Sequence, residues 1–146
     1  MTLKILVRFT LLCLLVAPWV STASAQEHRH PRYSQILSDL RDARALLGPV
    51  RPSERGHERV EAAIHDIEEA IGEIKQAGFD DHKALDEHAP IDVHLTRVDR
   101  FHQARELLGS ASRDLHADED DPRARDLKNH AQAHVEEAWN IVKQLG

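Results

Sequence analysis

The chain has 146 residues with 19 basic, 25 acidic and 11 histidine side chains, and its formal net charge is −6. This negative charge argues against nucleic acid or anionic lipid as a partner, because both attract basic surfaces. The chain has a single cysteine, which excludes a disulfide framework and a c-type haem, and a single methionine at position 1, which excludes a Met-ligated haem. No nucleotide is expected, because the sequence has no glycine-rich phosphate loop.

The first 25 residues have the pattern of a cleavable signal peptide. Lys4 and Arg8 give a positive start, residues 11–20 form an apolar run, and Ala23-Ser24-Ala25 precedes the expected cleavage point. The alternative is an uncleaved anchor, but the run is shorter than the roughly 20 apolar residues that a span needs. We expect a periplasmic or secreted mature chain with 17 basic and 25 acidic residues, a formal charge of −8, and no cysteine.

Residues 26–32 are predicted to be a flexible N-terminal tail with a candidate metal site. Cleavage after Ala25 would leave Gln26, Glu27 and His28 at the N-terminus. A free amine, two amide nitrogens and a third-position imidazole can hold Cu(II) or Ni(II) in a square plane. Cyclisation of Gln26 would remove the free amine that such a site needs. The alternative to a metal site is a disordered tail that has histidine at the third position by chance.

Residues 33–146 are predicted to form one domain. The first helix is expected over residues 33–47, with Ile36, Leu37, Leu40 and Leu47 on one side. The second is expected over residues 53–77, with Ser53 as N-cap, Gly78 as stop and an apolar stripe at Val60, Ile64, Ile67, Ile71 and Ile74. Residues 79–91 are the predicted link to the second half.

The third and fourth helices are expected over residues 92–108 and 122–145. The apolar side of the third helix is Leu95, Val98, Phe101 and Leu108, and Gly109 is the expected stop. Pro122 suits a first helical turn, and the fourth helix carries Leu127, Ala131, Ala138, Ile141 and Leu145. Since no single hairpin can bury these stripes, the pattern predicts an all-α, four-helix up-down bundle.

Two segments of the first half recur in the second. Ala43-Arg44-Ala45-Leu46-Leu47-Gly48 recurs 61 residues later as Ala104-Arg105-Glu106-Leu107-Leu108-Gly109, and Glu68-Glu69-Ala70 recurs 68 residues later as Glu136-Glu137-Ala138. The matching order favours two related helical hairpins. The alternative is that any two amphipathic helices share such patterning. Arg44 and Arg105 are equivalent in the repeats, and we predict a structural role for both, as ion-pair partners that fix the register of the bundle.

All 11 histidines follow residue 25, and three interpretations compete. The first is a His/carboxylate metal site, for which Cu, Ni or Zn are the candidate ions. On helix 4, Asp126, His130 and His134 lie at four-residue steps, and an antiparallel hairpin would put His102 level with His130. A core histidine bonded to a neighbouring carboxylate is the alternative for His134. A similar run on helix 2, from His57 to Glu69, is interpreted as a solvated face.

The second interpretation is pH sensing, because protonation of all 11 histidines would move the charge of the mature chain from −8 to about +3. The third assigns the histidines no function and leaves a structural or partner-binding module. Enzymatic chemistry is not expected, because no serine lies on a recognisable nucleophile turn.

Several segments between residue 56 and the C-terminus carry a family resemblance. They are Gly56-His57-Glu58, Ala70-Ile71-Gly72-Glu73-Ile74-Lys75, Asp80-Asp81-His82-Lys83, His88-Ala89-Pro90-Ile91-Asp92, Arg100-Phe101-His102-Gln103-Ala104 and Glu119-Asp120-Asp121-Pro122. With these segments the chain resembles a group of small exported bacterial helical proteins of unassigned activity. Members of the group usually have Gly where His82 stands and Pro where Ala89 stands. The resemblance implies export and a helical fold, and no chemistry.

These observations predict a non-catalytic exported helical protein that binds a divalent transition metal through histidine and carboxylate, as a buffer or carrier. The alternative is a helical interaction or envelope stress-response module, pH-responsive and without a specific metal. The expected partners are therefore metal ions or another envelope protein.

Overall fold

Four helices make up most of the computed structural model, which describes residues 32–79 and 94–146. They are α1 (Tyr33–Leu47), α2 (His57–Phe79), α3 (Arg97–Leu115) and α4 (Pro122–Leu145). The prediction of an all-α protein with four helices is confirmed. The predicted signal peptide, the predicted tail up to residue 31 and most of the predicted link lie outside the described residues.

The helices α1 and α4 have the predicted bounds, and strong local signals mark the end of α1 and the start of α4. Gly48 is the C-cap of α1, and Pro49, which follows it, has no backbone N–H with which to continue the helix. Asp121 caps α4: its Oδ1 accepts hydrogen bonds from the amides of Arg123 at 2.7 Å and Ala124 at 3.1 Å. Pro122 occupies the first turn of α4, as expected.

The helix α2 starts four residues later than predicted, so Ser53 is not its N-cap. Residues 52–56 form turns, and Gly56 has a left-handed φ of 82°. A side chain at this position would be strained by the backbone, and its Cβ would lie 2.8 Å from Leu145 Cδ2 at the end of α4. The glycine therefore starts α2 and also allows close contact with α4.

The helix α3 is shifted towards the C-terminus relative to the prediction. Thr96 caps it, with its hydroxyl accepting from the amide of Asp99 at 3.3 Å. The helix then runs through Gly109 to Leu115, because Ala111 and Leu115 continue the buried side and no proline follows the glycine. The same Leu-Leu-Gly sequence thus ends α1 and lies inside α3.

The helices are arranged in a square in which α1 and α4 each contact both α2 and α3. Near one end, Arg100 at the start of α3 donates to the carbonyl of Leu46 at the end of α1, at 3.4 Å. At the other end, the Tyr33 hydroxyl at the start of α1 donates to Glu119, just after α3. These contacts make α1 and α3 antiparallel.

The helices α2 and α4 are also antiparallel, since Arg59 donates to Gln144 while Glu73 lies beside His130. Gly146 lies against Phe101, so α4 also runs opposite to α3. The helix order is therefore up, down, down, up. The two helices of each hairpin are antiparallel, but α2 and α3 run in the same direction and do not contact each other. The predicted up-down order, in which each helix runs opposite to the one before it, is therefore wrong between α2 and α3.

The core is aliphatic and is built from all four helices. The fully buried larger side chains are Ile36, Leu37, Leu40, Leu46, Leu47, Val60, Ile67, Ile74, Leu108, Leu115, Val135 and Val142. On α4 the buried side is centred on Val135 and Val142, and Leu127, Ile141 and Leu145 lie at its edge. Lys128 is also buried, and its ammonium reaches out to donate to the carbonyl of Ala117 at 3.0 Å.

Two residues that the sequence places on the same side of helix 3 differ in burial. Phe101 is 3% exposed, whereas Val98 is 67% exposed. We expect Phe101→Ala to lower the free energy of unfolding by about 3–5 kcal/mol, because it opens a cavity in the core. Val98→Ala should change it by less than about 0.5 kcal/mol. Urea titration followed by circular dichroism measures both, and equal losses would contradict the observed orientation of α3.

Candidate functional site

Two histidines of α4 face carboxylates of α2. His134 Nδ1 lies 3.0 Å from Asp66 Oδ1, and His130 Nδ1 lies 3.6 Å from Glu73 Oε1. The two carboxylates are largely covered, with 18% and 19% of their side chains exposed, while His134 is 36% and His130 73% exposed. The α2–α4 site, meaning these four residues, thus joins two helices through two His–carboxylate pairs.

His134 lies at the edge of the core rather than inside it. Its helix neighbours Ala131, Val135 and Ala138 take the buried positions. The imidazole is therefore half-covered and turned towards α2, where Asp66 accepts its hydrogen bond when Nδ1 is protonated. This arrangement agrees with the simpler of the two interpretations of His134, a histidine bonded to a neighbouring carboxylate.

Glu73 is the carboxyl group of the α2–α4 site whose ionisation is disfavoured by burial. Burial raises the pKa of Glu73 above its ordinary value of 4.5, and the nearby Glu69 charge acts in the same direction. His134 and His130 oppose that rise in the pKa when they carry positive charge. The Oε2 atom of Glu73 is buried without a hydrogen-bond partner, so the carboxylate has an unused acceptor next to two imidazoles.

The other residues predicted to bind metal are not brought to this site. His102 is exposed, hydrogen-bonds through Nδ1 to Arg105 at 2.9 Å, and shares a shallow pocket with Val142 and Gly146. It is not level with His130, because α3 continues past Gly109 and His102 consequently lies near the end of α4. Asp126 is exposed one turn before His130, and it lines a different pocket with Gln76 and Arg123.

Across residues 32–79 and 94–146, no three His, Cys, Asp or Glu side chains are grouped so that they could hold a metal ion. Gln26, Glu27 and His28 lie outside the described residues.

Asp66 and Glu73 were not singled out in the sequence, although a signal for Asp66 exists. Asp66 and His134 are 68 residues apart, the same offset that relates Glu68-Glu69-Ala70 to Glu136-Glu137-Ala138. Residues equivalent by this offset meet where α2 and α4 cross. The contact between Glu73 and His130 could be predicted only by knowing that α2 packs antiparallel to α4, and the periodicity of the sequence does not show this.

The two equivalent arginines lie in different environments. Arg44 pairs with Glu68 of α2 at 3.3 Å, with about half of each side chain exposed. Arg105 contacts only residues of its own helix, His102 at 2.9 Å and Glu106 at 3.9 Å, among the interactions of the described chain. Arg44 therefore links α1 to α2, whereas no such interhelical pair is formed by Arg105. The run on α2 is largely a solvated face, with Glu61, His65 and Glu69 exposed.

No protein-family model, curated protein or solved structure matches this chain. The resemblance to small exported bacterial proteins therefore stays a prediction. Within the described part of the chain, no helix is both long enough and apolar enough to cross a membrane.

The raised pKa of Glu73 predicts how its replacement changes stability. Above pH 4.5 the unfolded chain holds Glu73 ionised while the folded chain resists ionisation, so folded stability falls as pH rises through the raised pKa. We expect Glu73→Gln to be more stable than the unsubstituted chain at pH 8, and this gain should disappear below pH 4.5. Urea titrations across this pH range measure the difference.

Glu137→Gln is the matched control, because Glu137 is an exposed carboxylate on α4. Its effect should not follow the same pH dependence. A Glu73→Gln variant that is less stable than the unsubstituted chain at pH 8 would show that the charge of Glu73 is favourably paired.

Proposed function

We propose that the protein is an exported, non-catalytic helical interaction module whose α2–α4 face responds to pH. The observation that carries this proposal is the 3.0 Å contact between His134 and Asp66, which connects the two longest helices. Histidine is the side chain whose ordinary pKa lies closest to physiological pH, so a His–carboxylate pair between helices changes its charge state under mild acidification.

The direction of the response follows from the groups that face each other. Protonation of His134 places a positive charge against Asp66 and near Glu73, and protonation of His130 adds a second charge beside Glu73. A protonated His134 or His130 attracts the carboxylate of α2 that it faces, and this attraction is lost once that carboxylate is itself protonated. At the same time the formal charge of the mature chain rises from −8 towards about +3, which would change the partners that its surface attracts.

A second function, divalent metal binding as a buffer or carrier, is supported by the unused acceptor of Glu73. His130 and His134 are spaced by four residues on one helix, a spacing that lets two imidazoles reach one ion. Glu73 lies 3.6 Å from His130, and its Oε2 atom has no hydrogen-bond partner. In this proposal the three groups share Cu(II), Ni(II) or Zn(II) after their side chains move from the positions in the structure, where they are not grouped as a metal site. Gln26, Glu27 and His28 remain the proposed alternative site.

We also propose that the bundle derives from duplication of one helical hairpin. Two features support this: the recurring segments, and the pairing of each helix with its equivalent in the other half. In the described chain α1 packs antiparallel to α3 and α2 antiparallel to α4, as a two-fold relation between hairpins requires. Asp66 and His134, equivalent under the offset of 68, contact each other as residues near such an axis would.

A double-mutant cycle at two pH values tests the proposed pH response. With His134→Ala, Asp66→Ala and the double variant, we expect a coupling free energy of about 1 kcal/mol at pH 5.5 and a smaller one at pH 8. The cause is that only the protonated imidazole forms an ion pair with the carboxylate. His65→Ala, which replaces an exposed histidine of α2, should show no such pH dependence. Coupling that is equal at both pH values would rule out this mechanism.

Calorimetric titration with Cu(II), Ni(II) and Zn(II) tests the metal proposal, on mature protein whose N-terminus is confirmed by mass spectrometry. We expect stoichiometric binding with a submicromolar Kd. Loss of binding in His130→Ala/His134→Ala assigns the ion to α4, whereas loss in His28→Ala assigns it to the N-terminus. Binding that is only weak and non-stoichiometric would exclude both metal sites and leave the pH-responsive module.

A further inference from the structure

A second site lies on the other side of α4, between α3 and α4. It is an open cleft of about 470 Å³, which is within the size range of small-molecule sites. Its floor is Gly109 of α3, and its walls include Arg105, Ser112 and Arg113 of α3 together with Trp139 and Asn140 of α4. We call this group the α3–α4 cleft. It contains none of the histidines discussed above.

The cleft presents hydrogen-bond donors that have no acceptor within the described part of the chain. No hydrogen bond or ion pair there involves the Arg113 guanidinium, and none involves the Trp139 indole N–H. Two acidic residues, Glu106 and Glu136, also line the cleft. Glu136 accepts from Gln132 at 2.9 Å and Glu106 lies 3.9 Å from Arg105, and neither forms an ion pair with Arg113 in the described part of the chain. The exposed Arg113 guanidinium and the Trp139 indole N–H therefore line the same concave surface without a partner from this part of the protein.

Gly109 is the second observation that indicates a ligand. It lies in the interior of α3, where glycine weakens a helix relative to alanine. A Cβ at this position would stand 3.7 Å from both Trp139 Nε1 and Arg113 Nη1, which is ordinary contact distance. Alanine would therefore fit at this position without displacing a neighbour. A methyl group there would nevertheless narrow the space between the indole N–H and the guanidinium, which the glycine leaves open to a ligand group.

A third basic residue lies beside the cleft. The Lys143 ammonium lies 4.7 Å from the centre of the Trp139 ring, in a cation–π contact. The ring is thus held in place by Lys143 while its N–H edge lies beside Gly109. Around this indole the three basic residues Arg105, Arg113 and Lys143 stand against two carboxylates, Glu106 and Glu136.

We propose that the α3–α4 cleft binds a small organic anion. Its carboxylate or phosphate group accepts hydrogen bonds from the Arg113 guanidinium and the Trp139 indole N–H, and the apolar part of the ligand lies along the floor at Gly109. Guanidinium groups suit such oxyanions because they offer several donors in one plane. This site is separate from the α2–α4 site and does not depend on the function proposed for it.

Tryptophan fluorescence of the full chain carrying Trp19→Phe tests the proposal, since Trp139 is then the single tryptophan. The probes are benzoate and phenyl phosphate, with uncharged benzamide and inorganic phosphate as comparisons. We expect saturable fluorescence changes with a Kd of about 1 mM or tighter for benzoate or phenyl phosphate. Benzamide should not bind. Preference between the two aromatic anions distinguishes a carboxylate ligand from a phosphate ligand, and saturation by inorganic phosphate alone would overturn the proposed organic anion.

Three variants make the test specific. Arg113→Gln should weaken probe binding at least tenfold, whereas Arg51→Gln, at an exposed arginine in the α1–α2 connection, should leave it unchanged. Gly109→Ala should weaken binding while raising the melting temperature, so that lost binding is not mistaken for lost folding. No saturable change with either aromatic anion, or equal losses in Arg113→Gln and Arg51→Gln, would overturn the proposal.

Discussion

The packing of α2 against α4 is the contact on which the rest of the bundle depends. These are the longest helices, with 23 and 24 residues, and their interface is the most extensive in the described chain. Alanines on both sides, at 63, 70, 131 and 138, are buried, and they alternate with buried isoleucine and valine. Small residues let the two backbones approach, and the branched residues fill the space between them. Since the chain has one cysteine, no intramolecular disulfide can replace this packing, and α1 and α3 complete the core from the other side.

The same packing determines what the histidines of α4 can do. Val135 and Ala138 have to face the core, and this orientation of the helix leaves His134 at its edge, within reach of Asp66. His130, one turn earlier, reaches Glu73 in the same way. The pairs are therefore a consequence of the helix register, and any change in their charge acts on the contact between α2 and α4. Desolvation of Glu73 makes that contact sensitive to the charge of both histidines, because a buried carboxylate without enough partners is costly.

Much of the fold could be predicted from the sequence, because local signals agreed with the tertiary structure in α1, in the apolar side of α2 and at the start of α4. The prediction was wrong for α3, where Gly109 was interpreted as a stop although the helix runs on to Leu115. What ends α1 is the combination of glycine with Pro49, and α3 lacks that proline. This one error also placed His102 opposite His130. The partners of His130 and His134 could not be predicted from periodicity, because they depend on which helices are neighbours and in which direction each one runs.

The helix α4 contributes residues to both proposed sites, and its packing in the core fixes the directions in which these residues face. His134 faces α2 while Trp139, five residues later, faces the cleft beside α3. Between them Val135 and Ala138 are fully buried. Rotation of α4 towards either neighbour would withdraw these two residues from the core, and such loss of buried apolar area is unfavourable. The core thus opposes rolling of α4. If both proposed sites exist, each would act through local charge and hydrogen bonding, and sites that share no partner contribute independently to stability.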